Sequence, residues 1–170
     1  MPHVILAHSR GRWGGRQPSH LVELAEELTA TLDHADWCLF QKNGTDATTA
    51  CITIARAGTG RRKIILARGA YHGAVPWCSP SVVGVTAEDR AHLIPFDWGD
   101  TTSLDAAVAQ AGDDLAAIIL TAFRHDVGRD QEMPTTAFLQ AARAHCDATG
   151  ALPCGRASAL TCAAAGRAMA

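Results

Sequence analysis

Three short stretches carry side chains that could bind something or move a proton. The first is the polar turn Gln41–Asp46, which ends Asn43-Gly44-Thr45-Asp46 between an apolar stretch and a stretch with helical period. A turn that opens a helix aims unsatisfied backbone N–H groups, and the positive end of the helix dipole, at any anion seated there. Gly44 allows close backbone approach and the Thr45 hydroxyl adds a donor. The same residues also suit an ordinary strand–helix turn with a polar cap. The second stretch is Tyr71-His72-Gly73, which holds the chain's single tyrosine. Tyr71 offers a stacking face and His72 a proton-transfer group, or the pair is a loop aromatic plugging the edge of the core. The third is Arg124-His125-Asp126, which would hold a carboxylate through Arg124 or form a surface charge cluster. No G-x-x-x-x-G-K-[ST], G-x-G-x-x-G or G-x-S-x-G pattern is present, which argues against a P-loop, a dinucleotide fingerprint and a hydrolase elbow.

The elements that must position these stretches alternate between strand and helix. Ser19 caps an expected helix to about Leu32, with Leu21, Leu24, Ala25 and Leu28 on one face. Trp37–Phe40 reads as a short buried strand leading into the polar turn. The helix after it places Ala47, Ala50, Cys51, Ile54 and Ala55 inward and ends at Gly58 and Gly60. Ile64–Ala67 reads as a strand, Gly69–Pro80 as a loop, and His92–Phe96 as a short strand weakened by Pro95. Thr102–Ala111 is an Ala-rich helix closed by Gly112. Leu115–Leu120 is continuously apolar, as a strand covered on both faces should be. Thr135–Thr149 is an amphipathic helix with Phe138, Leu139, Ala142 and Cys146 inward. This alternation predicts an α/β fold, a partial three-layer αβα domain with a mainly parallel sheet. From Cys154 onward the chain is Ala/Gly/Arg-rich with no regular period and no evident strand. The expected organisation is therefore a variable segment 1–18, a domain 19–153 and an irregular tail 154–170.

The chain's 170 residues and 17.9 kDa amount to one domain. At 48% hydrophobic and 19% charged it is built to bury a core. Its net charge of −2 lacks the basic excess of a nucleic-acid binder. No apolar run reaches membrane-spanning length, and the first residues lack a signal-peptide pattern. A cytoplasmic protein with no membrane and no nucleic-acid partner is expected. Of the six cysteines, Cys38, Cys51 and Cys146 lie inside apolar-periodic segments and read as core thiols. No cysteine pair has zinc spacing, and His145-Cys146 point about 100° apart on a helix, so no metal site is expected.

Taken in order, LVELAEEL (21–28), DWCLFQKNGTDATTACITIARAGTGRRKII (36–65), ARGAYHGAVPWC (67–78) and FLQAARAHCDATGAL (138–152) resemble the class III pyridoxal-phosphate-dependent aminotransferases. The resemblance is to glutamate-1-semialdehyde 2,1-aminomutase-like members and covers about residues 19–152. It implies the large domain of fold-type-I enzymes, pyridoxal 5′-phosphate as cofactor, a small-molecule amine substrate, and a homo-oligomer. By this resemblance Gly44 and Thr45 match the family's phosphate-binding turn. Tyr71 matches the aromatic that stacks on the pyridine ring, with His72 beside it. In the family the cofactor is an electron sink, and a lysine Schiff base exchanges with the substrate amine.

The departures are as specific as the matches. Thr121-Ala122 stand where many members have Glu-Pro. Leu152-Pro153-Cys154-Gly155 hold no acid where the family pairs one with the pyridine nitrogen. Lys42 and Lys63 are the only lysines, and neither matches the Schiff-base position. No catalytic residue is therefore assigned, and the chain by itself is expected to be inactive and to self-associate. The composition of 154–170 is that expected of a frameshifted remnant of a longer gene. The alternative is a non-catalytic α/β module that binds a phosphorylated ligand, or a structural remnant.

Overall fold

The computed structural model describes residues 3–4, 19–32, 37–124, 130–157 and 160–161. Its centre is a five-stranded sheet in the order β4-β3-β5-β6-β7, formed by β3 (Lys63–Ala67), β4 (Leu93–Phe96), β5 (Leu115–Thr121), β6 (Leu152–Ala157) and β7 (Leu160–Thr161). β4, β3, β5 and β6 are parallel, with Ile65 opposite both Ile94 and Ile118, and β7 runs antiparallel to β6. β5 is buried along almost its whole length, which is what its unbroken apolar run requires. Pro95 is exposed in β4, an edge strand, where its missing N–H costs no interior ladder bond.

Helices cover both faces. α2 (Gly44–Thr59) packs Cys51, Ile52 and Ala55 on Ile64, Ala117, Ile119, Leu152 and Cys154. On the opposite face α3 (Thr101–Ala111) and α4 (Thr136–Thr149) pack Leu104, Ala107, Phe138, Ala142 and Cys146 on Ile65, Ile94, Phe96 and Ile118. This is the expected three-layer α/β arrangement. The starts of these three helices are capped locally: Asn43, Asp100 and Thr135 accept backbone N–H groups from the first turns. Gly60 closes α2 in the left-handed conformation, its N–H returning to the Arg56 carbonyl at 2.9 Å. No helix among the described residues is long and apolar enough to cross a membrane.

Several expectations need correction. The apolar stretch at 37–40 does not enter the main sheet: β2 (Trp37–Cys38) pairs in parallel with β1 (His3–Val4) as a separate two-stranded sheet. Helix α1 (Ser19–Thr31) buries Ala25 but leaves Leu24 exposed, and α4 buries Phe138 but leaves Leu139 exposed. In α2 the buried face is Thr48, Cys51, Ile52 and Ala55, rotated from the expected stripe because Thr48 turns inward and Ile54 stays at the margin. β6 runs through Cys154–Ala157, across the expected boundary at 153/154. Pro153 and Gly155 hide the strand from any propensity argument. The ladder to β5 and the burial of Leu152 and Cys154 beneath α2 supply what local preference lacks.

The amino end of the sheet is tied by consecutive basic residues. The Arg61 guanidinium donates to the Leu115 carbonyl at 3.1 Å and the Thr149 carbonyl at 2.6 Å, joining β5 to the end of α4. The Arg62 N–H and Nε donate to the Asp114 carboxylate at 2.9 and 3.0 Å. Lys63 Nζ donates to the Gln110 and Ala111 carbonyls at 3.2 and 2.9 Å, capping the end of α3. Arg61→Met, which keeps the stem and removes both bonds, should lower unfolding free energy by about 1–3 kcal/mol in urea titrations. Arg143→Ala, which breaks the exposed i,i+4 pair with Asp147, should cost under about 0.5 kcal/mol. The Arg62 backbone N–H, aided by the guanidinium, holds the Asp114 carboxyl below the usual carboxylate range. A depressed folded value contributes stability above the ordinary aspartate pKa of about 3.9 and loses it as pH falls through the folded value. Asp114→Asn should therefore flatten the acid limb of the stability profile below about pH 4, measured by denaturant midpoints across pH.

Candidate functional site

Because α2 leads through Gly60–Arg62 into the start of β3, it runs antiparallel to the strands. Its first turn therefore lies at their carboxyl ends. Asn43 caps that turn: Oδ1 accepts the Asp46 N–H at 3.0 Å, and Nδ2 donates to the Asp46 carboxylate at 3.0 Å. A helix start leaves its first amides without intrahelical acceptors. With the Asp46 amide taken by the cap, those of Gly44 and Thr45 have no acceptor among the described residues. They point outward with the positive end of the helix dipole.

The loop that follows β3 is clamped to this turn. The Thr48 hydroxyl, buried, donates to the His72 carbonyl at 2.6 Å, nearer than the Gly44 and Thr45 carbonyls of its own helix at 3.0 Å. Thr49 Oγ1 accepts the Trp77 indole N–H at 3.1 Å. The Trp77 and His72 rings stack, with centroids 6.5 Å apart and planes 15° from parallel. Thr45 closes against Gly73: a Cβ on Gly73 would lie 2.8–3.0 Å from the Thr45 side chain, and its φ of +143° disfavours any L side chain. His72 is fully enclosed by this packing, whereas the neighbouring Tyr71 is 40% exposed. Gly44, Thr45, Tyr71 and His72, the residues singled out in the sequence, are thus brought to one place.

One further side chain belongs to this end of the sheet. Thr121, the last residue of β5, is only 4% exposed, and its Oγ1 has no hydrogen-bond partner among the described residues. Strand alternation sets it on the same face as Ala117 and Ile119, which pack under α2. Leaving a buried hydroxyl unbonded costs about 1–3 kcal/mol.

Other candidates fall elsewhere. Arg124 is bridged to Glu132 by backbone bonds of 2.8 and 3.3 Å and a side-chain approach of 3.8 Å. His125 and Asp126 lie outside the described residues. His145 is paired with Asp105 at 2.6 Å, linking α4 to α3, while burial pushes the adjacent Cys146 thiol up to about 12. Among the described residues no group of His, Cys, Asp and Glu side chains could hold a metal ion. Lys63 is fixed at the amino end of the sheet, whereas Lys42 lies exposed just before the α2 cap. Sequence reasoning did not find Thr48, Thr49, Trp77 or the Gly73 contact. The T-x-x-T-T spacing from Thr45, with Trp77 downstream, is the signal that marks them.

No family model matches the chain. It is 46% identical over 132 residues to an aminopentol aminotransferase of Sphingopyxis macrogoltabida, covering 78% of this chain and 31% of that protein. It is 34% identical over 120 residues to a 3-aminobutyryl-CoA aminotransferase of Cloacimonas acidaminovorans, covering 71% and 28%. Among solved structures, the PLP internal aldimine form of the FumI protein of Sphingopyxis sp. MTA144 superposes with a TM-score of 0.77 at 44% identity. That match covers 80% of this chain and 33% of that one. A glutamate-1-semialdehyde aminomutase of Pseudomonas aeruginosa PAO1 shares the fold at 20% identity and a TM-score of 0.64. The homologues and structural neighbours are thus pyridoxal-phosphate-dependent aminotransferases and their aminomutase relatives, and the α/β sheet has their fold. The chain spans about a third of the length of the curated relatives it matches.

Gly73→Ala should destabilise the chain by about 1–3 kcal/mol through backbone strain and the clash with Thr45. Adding Thr45→Ala should recover only the steric part. Full recovery in the double variant's urea midpoint would contradict the assignment of strain at Gly73.

Proposed function

We propose that the chain supplies the phosphate-binding side of a pyridoxal-phosphate-dependent aminotransferase site acting on a small-molecule amine. The observation that carries this reading is the α2 start, with two outward amides and the Thr45 hydroxyl, clamped to the Tyr71-His72-Gly73 loop. Both segments are among the stretches whose motifs resemble the class III enzymes. The residues suit the cofactor chemically. The Gly44 and Thr45 amides would hold its phosphate dianion, and the half-exposed Tyr71 ring would stack on its flat pyridine. His72, enclosed beside Tyr71, would position that ring through its carbonyl bond from Thr48 and its stack on Trp77. Bound there, the cofactor supplies the electron sink for amino-group transfer.

An aminotransferase is better supported than an aminomutase, because the aminotransferase relative is 46% identical and the aminomutase structure 20%. Of the two lysines in these 170 residues, Lys63 Nζ caps α3 at the far end of the sheet and Lys42 is exposed just before the α2 cap, and neither matches the position of the Schiff-base lysine that the resemblance implies. The described strand β6 ends without a carboxylate. The chain by itself should therefore bind the cofactor without turning over. A cytoplasmic setting and self-association complete the reading. Val82 and Val83, 65% and 89% exposed, and the unpaired edge of β4 offer the apolar and backbone surface for association.

Absorbance titration of the purified chain with pyridoxal phosphate, followed by borohydride and peptide mapping, tests this. Saturable binding with no label on Lys42 or Lys63 is expected. A label on either lysine would overturn the non-catalytic reading, and absence of saturable binding would overturn the cofactor site.

A further inference from the structure

One buried group at the carboxyl end of the sheet, the Thr121 hydroxyl, has no hydrogen-bond partner among the described residues. The polar side chains in the first turns of α2 are engaged: Thr48 with the His72 carbonyl, Thr49 with the Trp77 indole, Thr45 against Gly73 and Ala74. Thr121 is as buried as the core yet carries an oxygen with no partner among the described residues. Packing alone would favour valine, which has the same shape without the desolvation cost. The indole Nε1 of Trp98 is also buried without a partner, but it lies in the α3–α4 layer against Phe138, across the sheet from α2. Thr121 combines an unmet hydrogen bond with the face and the strand end that carry the α2 start.

We propose that Thr121 is a ligand-contacting residue whose hydroxyl hydrogen-bonds a ring heteroatom of pyridoxal phosphate. This rests on the cofactor reading above and adds to it a second point of attachment, on the ring rather than the phosphate. A hydroxyl both donates and accepts, so it serves the pyridine nitrogen or the phenolic oxygen. It offers that contact from β5, while the residues of β6, Leu152–Ala157, include no acid to do so. Phosphate and ring would then be held by different elements: the first turn of α2 and the end of β5.

The test uses the full 170-residue chain, its Thr121→Val and Thr121→Ser variants, and titrations with pyridoxal phosphate and with inorganic phosphate. Thr121→Val should weaken pyridoxal phosphate binding about tenfold, the loss of one buried hydrogen bond. It should leave inorganic phosphate binding unchanged and raise the melting temperature of the ligand-free chain, because the unbonded hydroxyl is gone. Thr121→Ser, which keeps the hydroxyl, should bind pyridoxal phosphate like the parent. Equal pyridoxal phosphate affinity in parent and Thr121→Val would overturn this inference and leave the cofactor site standing. An equal loss for inorganic phosphate would also overturn it, by moving the effect to the helix start. A parent chain that binds inorganic phosphate but not pyridoxal phosphate would remove the cofactor reading and this contact together.

Discussion

The hydrogen bond from the Thr48 hydroxyl to the His72 carbonyl, 2.6 Å long and fully buried, joins the start of α2 to the loop that leaves β3. Without it a helix start and a loop would merely be neighbours. With it, the Gly44 and Thr45 amides and the Tyr71 ring keep a fixed separation. The contact needs a side-chain hydroxyl at that fully buried helical position. It also demands a glycine at 73, because any Cβ there would meet Thr45. An anion site of the kind proposed, built from backbone amides, would be only as well organised as the elements that carry those amides, and the clamp would supply that order.

The two ends of the sheet are built on opposite principles. At the amino end Arg61, Arg62 and Lys63 satisfy the carbonyls and carboxylate that converge there, and no group is left waiting. At the carboxyl end two amides of the α2 start have no acceptor and a buried hydroxyl is unbonded among the described residues. Open parallel sheets place ligands outside their carboxyl ends, and unmet polar groups there cost stability that a ligand restores.

Much of this was legible in the sequence, and the failures have physical causes. Helical period located α3 and α4 to within a residue, whereas α2 begins at Gly44, inside the stretch read as a polar turn, because Asn43 caps it there. The apolar run of β5 could hardly be anything but a central strand. β6 was invisible because Pro153 and Gly155 carry no strand preference, and the strand exists through its ladders with β5 and β7 and its burial beneath α2. The stretch at 37–40 looked like a sheet strand, yet its partner is β1, and apolar content does not specify a partner. At the candidate site, Gly44, Thr45, Tyr71 and His72 were candidates from residue type, with roles implied by the resemblance, and the structure sets them side by side. Thr48 and Thr49 were not, since threonine inside a helix announces nothing until the loop it bonds is known. The enclosure of His72, against the exposure of Tyr71, likewise depends on Trp77, whose position no local pattern sets.

The central claim is that the first turn of α2 and the loop clamped to it form a single phosphate-binding surface. Amide hydrogen exchange of the chain with and without pyridoxal phosphate tests it most directly. The Gly44 and Thr45 amides, which have no acceptor among the described residues, should exchange rapidly in the free chain. They should slow on ligand addition together with His72, Gly73 and Ala74. Protection confined to other segments, or unchanged exchange at Gly44 and Thr45 under saturating ligand, would contradict the account.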